Sequence, residues 1–226
     1  MINHWEVPIF ADSIWRYKAN TTSGPAANWY MPTYSDVSWQ QGPGGFGYGD
    51  GDDQTNTGSA LSVFLRKNFT ITDTSKYALG VLLIDYDDAF VAYLNGVEVA
   101  RSNVGAYGDH PAYNVSAYDE HEAKLYQGGG QEFYLVQLKN VLNPGNNVFS
   151  IQVHNYSSGL DDLSVLPWLI IGNKDTTPQF PSFPSDFHMH TNFSLSNTEG
   201  FKLTLKDSLG VIKDSLTLGS KNMQAN

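Results

Sequence analysis

The chain has 226 residues, enough for one large β-sandwich or for one sandwich with a small second unit. Its formal net charge of −10 at pH 7 disfavours nucleic acids and anionic membrane surfaces as partners, because both attract cationic proteins. It contains no cysteine, which excludes disulfides, a thiol nucleophile and cysteine-based zinc sites.

The composition favours strands and loops. Aromatic residues make up 13% of the chain and there are 21 glycines, whereas charged residues account for only 16%, the balance of a strand-and-loop protein. No apolar run reaches about 18 residues, so no membrane insertion is expected. The first residues do not resemble a signal peptide, and we expect the sequence to be part of a longer exported chain whose signal it lacks.

The first forty residues combine aromatic rings with turn-forming residues, and short strands are predicted at 9–10 and 15–17. An aromatic ring here either stacks on a sugar or closes the end of a sandwich core, and burial is the commoner fate of tryptophan. Trp29 and Tyr30 follow a turn-forming segment, and we predict them to be the exposed pair. The tryptophans of this region are Trp5, Trp15, Trp29 and Trp39.

A glycine-rich loop follows at residues 42–55, with the sequence GPGGFGYGDGDDQT. Calcium takes roughly six to eight oxygen ligands, and this loop offers carboxylates and carbonyls in close sequence. The alternative is a solvated turn of aspartate and glycine. The glycine and glutamate of an EF-hand are missing, and no Lys-Ser/Thr follows the glycines, which excludes a P-loop. The candidate calcium ligands are Asp50, Asp52, Asp53 and Thr55.

The centre of the chain reads as a succession of strands. Residues 61–71 form one predicted strand, and the apolar run 81–84 is typical of a strand buried on both faces. A further apolar run, 89–94, reverses through Asn95 and Gly96, the pair that type I′ hairpin turns prefer because both positions need positive φ. We therefore predict an antiparallel β-meander here.

Asp85, Asp87 and Asp88 separate the two apolar runs. Glycosidases use a pair of carboxylates, but neighbouring residues of an extended chain point to opposite sides. We therefore expect one aspartate to cap the bend, another to pair with Arg66 or Arg101, and the rest to face solvent. A perturbed carboxyl pKa would be the sign of a catalytic role.

Residues 102–130 form a predicted long loop, and loops of this length in compact domains are usually functional. This loop concentrates histidine, acidic residues and tyrosine, which hydrogen-bond to sugars and stack on them. His121 lies between two glutamates, but no second histidine at zinc-ligand spacing accompanies it. Together with Trp29 and Tyr30, the candidate ligand-binding residues are Tyr107, His110, Tyr113, Tyr118, His121 and Tyr126.

Two alternating segments, 132–138 and 147–154, predict adjacent antiparallel strands. The turn between them, 143–146, carries proline and glycine where a β-turn favours them. Asp161 and Asp162 precede a further apolar strand at 165–171.

Several of these stretches together resemble the galactose-binding-domain-like jelly roll, over residues 1–175. They are similar to the module found beside CotH-type kinase and lamin-tail domains in secreted proteins of Bacteroidetes, although no kinase signature is present. The stretches are His4-Trp5-Glu6 with Trp15-Arg16-Tyr17, the glycine-rich loop, DYDDAF and VAYLNG (85–96), and VHNYSSGLDDLS (153–164).

The resemblance implies an all-β fold, an antiparallel β-sandwich of the jelly-roll type. It also implies a structural calcium ion in the glycine-rich loop. Because the last strand of the resembled module returns next to the N-terminal region, Asp161 or Asp162 would complete the calcium site. Carbohydrate modules of this fold often bind through loops at one end of the sandwich, which the long loop would match by analogy.

The last part of the chain is predicted to be separate. Residues 176–187 are a proline-rich linker by composition. Residues 188–226 then carry three short predicted strands, at 190–196, 200–205 and 210–216, and resemble the start of a lamin-tail immunoglobulin-like domain. A complete domain of that kind has about 100 residues, so this β extension is incomplete.

The sequence therefore predicts a non-enzymatic accessory module of a secreted or cell-surface multidomain protein, binding carbohydrate and stabilised by calcium. Its expected partners are a glycan and the neighbouring domains of the parent chain. The alternative is a structural module that docks or spaces those domains without binding glycan. A hydrolase would need two facing carboxylates in a cleft or a Ser-His-Asp set, and no motif shows either.

Overall fold

The computed structural model describes residues 1–20, 22–49, 53–124, 130–157, 162–183, 201–206 and 212–218. Two compact units divide the chain, Met1–Phe187 and His188–Asn226. In chain order the elements are β1 (His4–Ile9), β2 (Ile14–Asn20), β3 (Gln40–Pro43), β4 (Phe46–Tyr48), β5 (Thr55–Asn56), β6 (Ser62–Ile71), β7 (Tyr77–Asp87), β8 (Ala89–Leu94), β9 (Val97–Ser102), β10 (Gln131–Leu135), α1 (Leu138–Val141), β11 (Gly145–His154), β12 (Leu163–Asn173), β13 (Phe201–Lys206) and β14 (Ile212–Leu218).

The first unit is a β-sandwich, which confirms the predicted fold class. One sheet has the order β10-β7-β12-β4-β5, and β1 also pairs with β12. The other has the order β3-β2-β6-β11-β8-β9. The pairs are antiparallel apart from the short parallel pair of β4 and β5. The main hydrophobic core lies between the sheets and draws on both.

Strand β7 is buried on both faces, as its unbroken apolar run predicts. Leu82 and Ile84 belong to the core between the sheets, whereas Val81 and Leu83 belong to a smaller apolar cluster on the other face. Side chains alternate across a strand, so burying all four requires cover on both faces of the sheet.

The predicted meander is wrong in one respect. The hairpin is present, because β8 pairs with β9 and both turn residues have positive φ, 52° at Asn95 and 86° at Gly96. However, β7 lies in the first sheet and the hairpin in the second. The chain changes sheets at Asp87 and Asp88, so the aspartates occupy a crossover between layers and not a bend within one sheet.

The prediction that 132–138 and 147–154 form neighbouring strands is also wrong. Strand β10 pairs with β7 in the first sheet, whereas β11 lies between β6 and β8 in the second. The helix α1 separates them and buries Leu138 and Val141 in the core. The chain therefore passes from the first sheet to the second through α1, where the sequence predicted a simple β-turn.

A second apolar cluster covers the outer face of the second sheet. It brings together Trp29 and Trp39 from the segment before β3, Phe64 and Tyr93 from the strands, and Ala117 from the long loop. Two connecting segments therefore fold back over the sheet, and its central strands are buried on both sides.

Arg66 of β6 fastens one of these segments. Its side chain is only 2% exposed, and its Nε donates to the Asp36 carboxylate at 2.8 Å. The guanidinium also donates to the carbonyl oxygens of Trp29, Met31 and Tyr34. Carbonyl oxygens in a connecting segment have no partner on a neighbouring strand, and the planar guanidinium has enough donors to bind several of them at once.

Glu6 of β1 holds the end of the first unit. Its fully buried carboxylate accepts hydrogen bonds from the Tyr77 hydroxyl, the Asn173 amide and the backbone N–H groups of Gln179 and Phe180. Val7 and Trp5 add backbone hydrogen bonds to Pro181 and Phe183. The described part of the predicted linker, 176–183, therefore lies against the sandwich.

In the second unit, β13 and β14 form an antiparallel pair. They correspond to the strands predicted at 200–205 and 210–216, while the strand predicted at 190–196 lies outside the described residues. The predicted domain boundaries and the lamin-tail resemblance stay predictions. Within the described residues, no helix has the length and apolar character needed to cross a membrane.

Buried His154 sets an expected pH dependence. Its Nδ1 lies 2.7 Å from the Val115 carbonyl, and burial lowers the pKa of the ring to about 4. Between pH 6.5 and 4 the imidazole of His154 is therefore protonated in the unfolded chain but neutral in the folded chain. The free energy of unfolding should fall by about 3 kcal/mol as the pH drops through this window.

Urea unfolding of the wild type and of His154→Gln at pH 7 and pH 5 measures this dependence. The variant should lose much less stability between the two pH values than the wild type does. Equal losses in both proteins would contradict the assignment.

Candidate functional site

The loop between β9 and β10 is anchored by the aspartates of the sheet crossover. The Asp88 carboxylate accepts from the backbone N–H groups of His121 and Tyr156, at 2.7 and 2.6 Å, and Asp85 accepts from that of Lys124 at 2.8 Å. All three aspartates of the crossover are buried. Asp85 and Asp88 hold residues 121–124 of the long loop against the sandwich.

This arrangement corrects the roles predicted for the aspartates. Arg66 pairs with Asp36 and Arg101 with Glu98, so neither arginine forms an ion pair with the crossover. The expected solvent exposure is also wrong, because the long loop folds over the crossover and needs acceptors for its backbone N–H groups.

Asp87 meets two other carboxylates in what we term the acidic cluster, formed by Asp87, Glu122 and Asp162. Carboxylate oxygens of all three lie within 4.8 Å of one another. They come from the end of β7, the long loop and the residue before β12, so three separate segments converge here. Glu122 is exposed and Asp162 half-buried, whereas Asp87 is 5% exposed.

The electrostatics of the acidic cluster favour a proton or a cation. Burial, together with the neighbouring charges of Asp88, Asp162 and Glu122, raises the pKa of Asp87 to about 8. Among the described residues, no lysine, arginine or histidine forms an ion pair with Asp87. Hard carboxylate oxygens from several segments are the ligands that calcium prefers.

Only part of the predicted calcium loop can be placed. Asp50, Asp52 and Asp161 lie outside the described residues. Thr55 is buried and its hydroxyl donates to the Pro43 carbonyl at 2.6 Å, so it holds the loop together. A Cβ at Gly47 would lie 2.2 Å from both the Asp53 carboxylate and the Leu163 carbonyl, which places Asp53 beside the start of β12.

The prediction that Trp29 is exposed is wrong. It is 5% exposed and packs edge-on against Phe64 and Tyr93, with ring centroids 4.9 and 5.8 Å away. The segment that carries it folds onto the outer face of the second sheet, which the local turn pattern did not reveal. Tyr30 is half-buried and stacks on Tyr93 and His110, at centroid distances of 4.5 and 4.6 Å.

His121 has a structural place within the long loop. Its ring stacks on Tyr86 with centroids 4.2 Å apart and only 3° between the planes. Its Nδ1 lies 3.0 Å from the Tyr86 carbonyl and its Nε2 lies 2.9 Å from the Gln131 amide nitrogen. Both ring nitrogens therefore have partners, and the stack fixes Glu122, the next residue, at the acidic cluster.

The remaining predicted ligand-binding residues differ in exposure. Tyr113 is half-buried against the outer cluster of the second sheet, and the His110 ring bonds the hydroxyls of Tyr30 and Tyr93. Tyr107 and Tyr118 are 76% and 65% exposed. Tyr126 lies outside the described residues.

A cleft of about 120 Å³ lies at the side of the sandwich where β9 and β10 form the edges of the two sheets. It is smaller than a typical small-molecule pocket of roughly 300–1,000 Å³, so it can cover only part of a ligand. We term it the tyrosine cleft after Tyr107 and Tyr134, which is 57% exposed. It is lined by the two tyrosines and by Val97, Glu98, Val136 and Gln137, with apolar residues of β9, β10 and α1 beneath.

The sequence did not single out Tyr134, Glu98 or Gln137. Tyr134 lies in a segment of alternating apolar and polar residues, which predicts a strand with one exposed face. This alternation was the only feature of the sequence that indicated an exposed Tyr134. The cleft arises because the edges of two different sheets meet, which no local pattern predicts.

Glu98 and Arg101 position Tyr107 at the cleft. Arg101 donates from Nε and from a terminal nitrogen to the two carboxylate oxygens of Glu98, each at 2.9 Å. It also donates to the Val104 carbonyl at 2.8 Å, and the Gly108 N–H donates to Glu98 at 2.9 Å. This bidentate ion pair fixes residues 104–108, and with them Tyr107.

No protein-family model matches the sequence, and no curated protein sequence matches it. Solved structures of glycoside hydrolase family 2 enzymes resemble the fold. A β-glucuronidase from an uncultured Clostridium sp. has a TM-score of 0.51 at 14% identity, over 98% of this chain and 40% of that chain. One from Bifidobacterium dentium, complexed with coumarin-3-O-glucuronide, has a TM-score of 0.48 at 12% identity, over 97% and 40%.

A glycosyl hydrolase family 2 member from Bacteroides cellulosilyticus has a TM-score of 0.45 at 14% identity, over 93% of this chain and 29% of that chain. This chain thus spans well under half the length of these structures. At such identities the likeness shows the fold alone, a β-sandwich of a kind that occurs within large glycosidases.

Proposed function

We propose that this chain is a non-catalytic accessory module that binds carbohydrate in the tyrosine cleft, beside other domains of a larger secreted or cell-surface protein. The observation that carries the proposal is the cleft itself, with two exposed tyrosine rings at its surface. Aromatic faces bury the C–H faces of sugars, and Tyr hydroxyls, Gln137 and Glu98 add polar groups that orient a ligand.

Single exposed aromatic residues are common on protein surfaces, but here two of them line the same cleft. The sandwich fold shared with parts of glycoside hydrolase family 2 enzymes supports the same proposal at the level of architecture. The finer resemblance, to modules beside CotH-type kinase and lamin-tail domains, rests on the sequence stretches alone. It suggests that domains of those two kinds are the neighbours of this module in the larger protein.

The absence of catalysis is part of the proposal. Glu98, the carboxylate lining the cleft, is held in a bidentate ion pair by Arg101, which leaves it poorly suited to act as acid or base. The acidic cluster contains a carboxyl with a raised pKa, which burial and the neighbouring carboxylates account for, and the proposal assigns this cluster to a cation and not to catalysis.

The tyrosine variants test the carbohydrate proposal. Tyr107→Ala and Tyr134→Ala should each weaken binding to the glycan found in a polysaccharide screen by about tenfold, the equivalent of ~1.4 kcal/mol. Tyr118→Ala is the matched control, because this tyrosine belongs to the same loop, is similarly exposed and does not line the cleft. Affinity electrophoresis or calorimetry measures the change.

An equal loss in all three variants would contradict a specific cleft. No binding of the folded wild type to any glycan would instead favour the alternative, a module that docks or spaces its neighbours.

The proposal also includes a calcium ion at the acidic cluster, held by Asp87, Glu122 and Asp162. The donor set fits, because it consists of carboxyl groups from three segments and includes a buried one, Asp87, that has no basic partner among the described residues. Bound calcium would tie the long loop to the start of β12. Asp53 lies beside Leu163, so the glycine-rich loop approaches the same end of β12.

Calcium at a hundred times its Kd is expected to stabilise the wild type by about 2.7 kcal/mol, seen as a rise in Tm over the protein in EDTA. Asp87→Asn should remove this rise and at the same time stabilise the protein in EDTA at pH 7, because the Asp87 carboxyl, whose pKa is raised, must take up a proton on folding and an amide need not. Differential scanning calorimetry measures both effects.

Asp119→Asn, in an exposed part of the same loop, is the control and should keep the response to calcium. An unchanged Tm of the wild type with and without calcium would refute the metal site and leave the carbohydrate proposal standing.

A further inference from the structure

The tyrosine cleft is poor in positive charge. Among the described residues that line it none is basic, and one of them, Glu98, is acidic. A second carboxylate adjoins it, because Glu132 precedes Tyr134 by two residues on β10 and accepts the Tyr134 hydroxyl hydrogen bond at 3.0 Å. This contact raises the pKa of Tyr134, as expected when a hydroxyl faces a negative charge.

Arg101 adjoins the cleft through Glu98, but its donors are already committed. Two of them bind the Glu98 carboxylate, and others bind the carbonyl oxygens of Val104 and Asp109. Its side chain is 10% exposed. A guanidinium has five N–H donors, and four hydrogen bonds within the protein leave it little capacity for a carboxylate of the ligand.

A negatively charged ligand group therefore meets an unfavourable site. The Glu98–Arg101 pair cancels internally, and Glu132 adds a negative charge beside Tyr134, in a chain whose formal charge is −10. A ligand carboxylate would lose water without gaining a cation, and it would be repelled at short range. Sugar hydroxyls do not carry this cost, and they can donate to carboxylates and stack on the tyrosine rings.

We propose that the tyrosine cleft selects neutral sugars and rejects uronic acids. This inference rests on the proposed carbohydrate-binding function and specifies the class of its ligand. The rejection of uronic acids determines the specificity, because specificity is a difference between two affinities. A ligand carboxylate that is buried without a cation lowers the affinity for the acidic sugar.

The test compares polysaccharides that differ in charge and share a backbone. Highly methyl-esterified and de-esterified homogalacturonan form one such pair, and an array of neutral hexose oligosaccharides with their uronic acid counterparts extends it. The wild type should bind neutral members at least about tenfold more tightly than acidic ones. Any residual binding of uronates should strengthen with added salt, since salt screens the repulsion.

Two variants separate charge from shape. Val136 is 75% exposed at the cleft, so Val136→Lys adds a cation with little cost to folding and should create measurable uronate binding. Glu132→Gln should also raise uronate affinity, through loss of the repelling charge. Tyr107→Ala in the Val136→Lys background should abolish the new binding, which ties it to the cleft.

Equal or tighter binding of uronates by the wild type would overturn the inference and leave the carbohydrate-binding proposal intact. Failure of Val136→Lys and Glu132→Gln to shift the preference would also overturn it, because charge would then not be the cause. No binding to any glycan, neutral or acidic, would reject the proposed function and this inference together.

Discussion

Replacing Arg66 with methionine is expected to lower the free energy of unfolding by about 3–5 kcal/mol, the range found when one partner of a buried ion pair is removed. The substitution strands the Asp36 carboxylate and leaves carbonyl oxygens of the covering segment without a donor. Trp29 belongs to that segment, so its packing against Phe64 and Tyr93 should loosen as well.

Urea unfolding followed by tryptophan fluorescence measures the effect. Lys67→Met, at the next position of β6, is the matched control, because its amine makes a single hydrogen bond to the Ile14 carbonyl and its loss should cost about 1 kcal/mol. Similar losses in both variants would show that Arg66 contributes no more than a surface cation. The double variant Arg66→Met with Asp36→Asn should recover part of the loss, since it removes the stranded charge.

Glu6→Ala is expected to cost about 3–5 kcal/mol, because it leaves several buried hydrogen-bond donors without their acceptor. The buried carboxylate receives hydrogen bonds from Tyr77, from Asn173 and from the backbone of residues 179–180. Burial alone would raise the pKa of Glu6, but these hydrogen bonds outweigh it and lower the pKa. Its contribution is therefore present above the normal carboxyl pKa and is lost as pH falls below it.

Chemical unfolding at pH 7 tests the size of the effect, and hydrogen exchange of the amides of Gln179 and Phe180 tests its location. Both amides should exchange much faster in the variant, because their acceptor is gone. Glu120→Ala, at an exposed position of the long loop, controls for the loss of one negative charge. A stable variant with protected amides would show that another group holds this end of the sandwich.

The sequence predicted the architecture where local patterns decide it. The apolar run of β7 and the Asn95-Gly96 hairpin are confirmed, because burial on both faces and positive φ each demand particular residues. It failed wherever the chain moves from one sheet to the other. A crossover at Asp87 and the short helix α1 look locally like turns, and only the packing of distant strands distinguishes them.

The candidate site was predictable in part. The long loop and its exposed Tyr107 followed from composition, and Asp162 does belong to a carboxylate group. Its companions Asp87 and Glu122 are about 75 and 40 residues away along the chain, separations at which spacing carries no information. The sequence analysis missed Tyr134 because it predicted that β10 pairs with β11. In the structure β10 pairs with β7 and forms the edge of the first sheet, which places Tyr134 at the cleft.

The pairing of β1 with β12, and the attachment of residues 179–180 to Glu6, join the two ends of the first unit. Contacts between segments so distant in sequence slow folding, because a long loop must close before they form. The sheet that contains β1 can therefore close only after β12 has been synthesised, and until then β1 has an unpaired edge. An unpaired strand can associate with other chains, so β1 is expected to be a site of aggregation during synthesis.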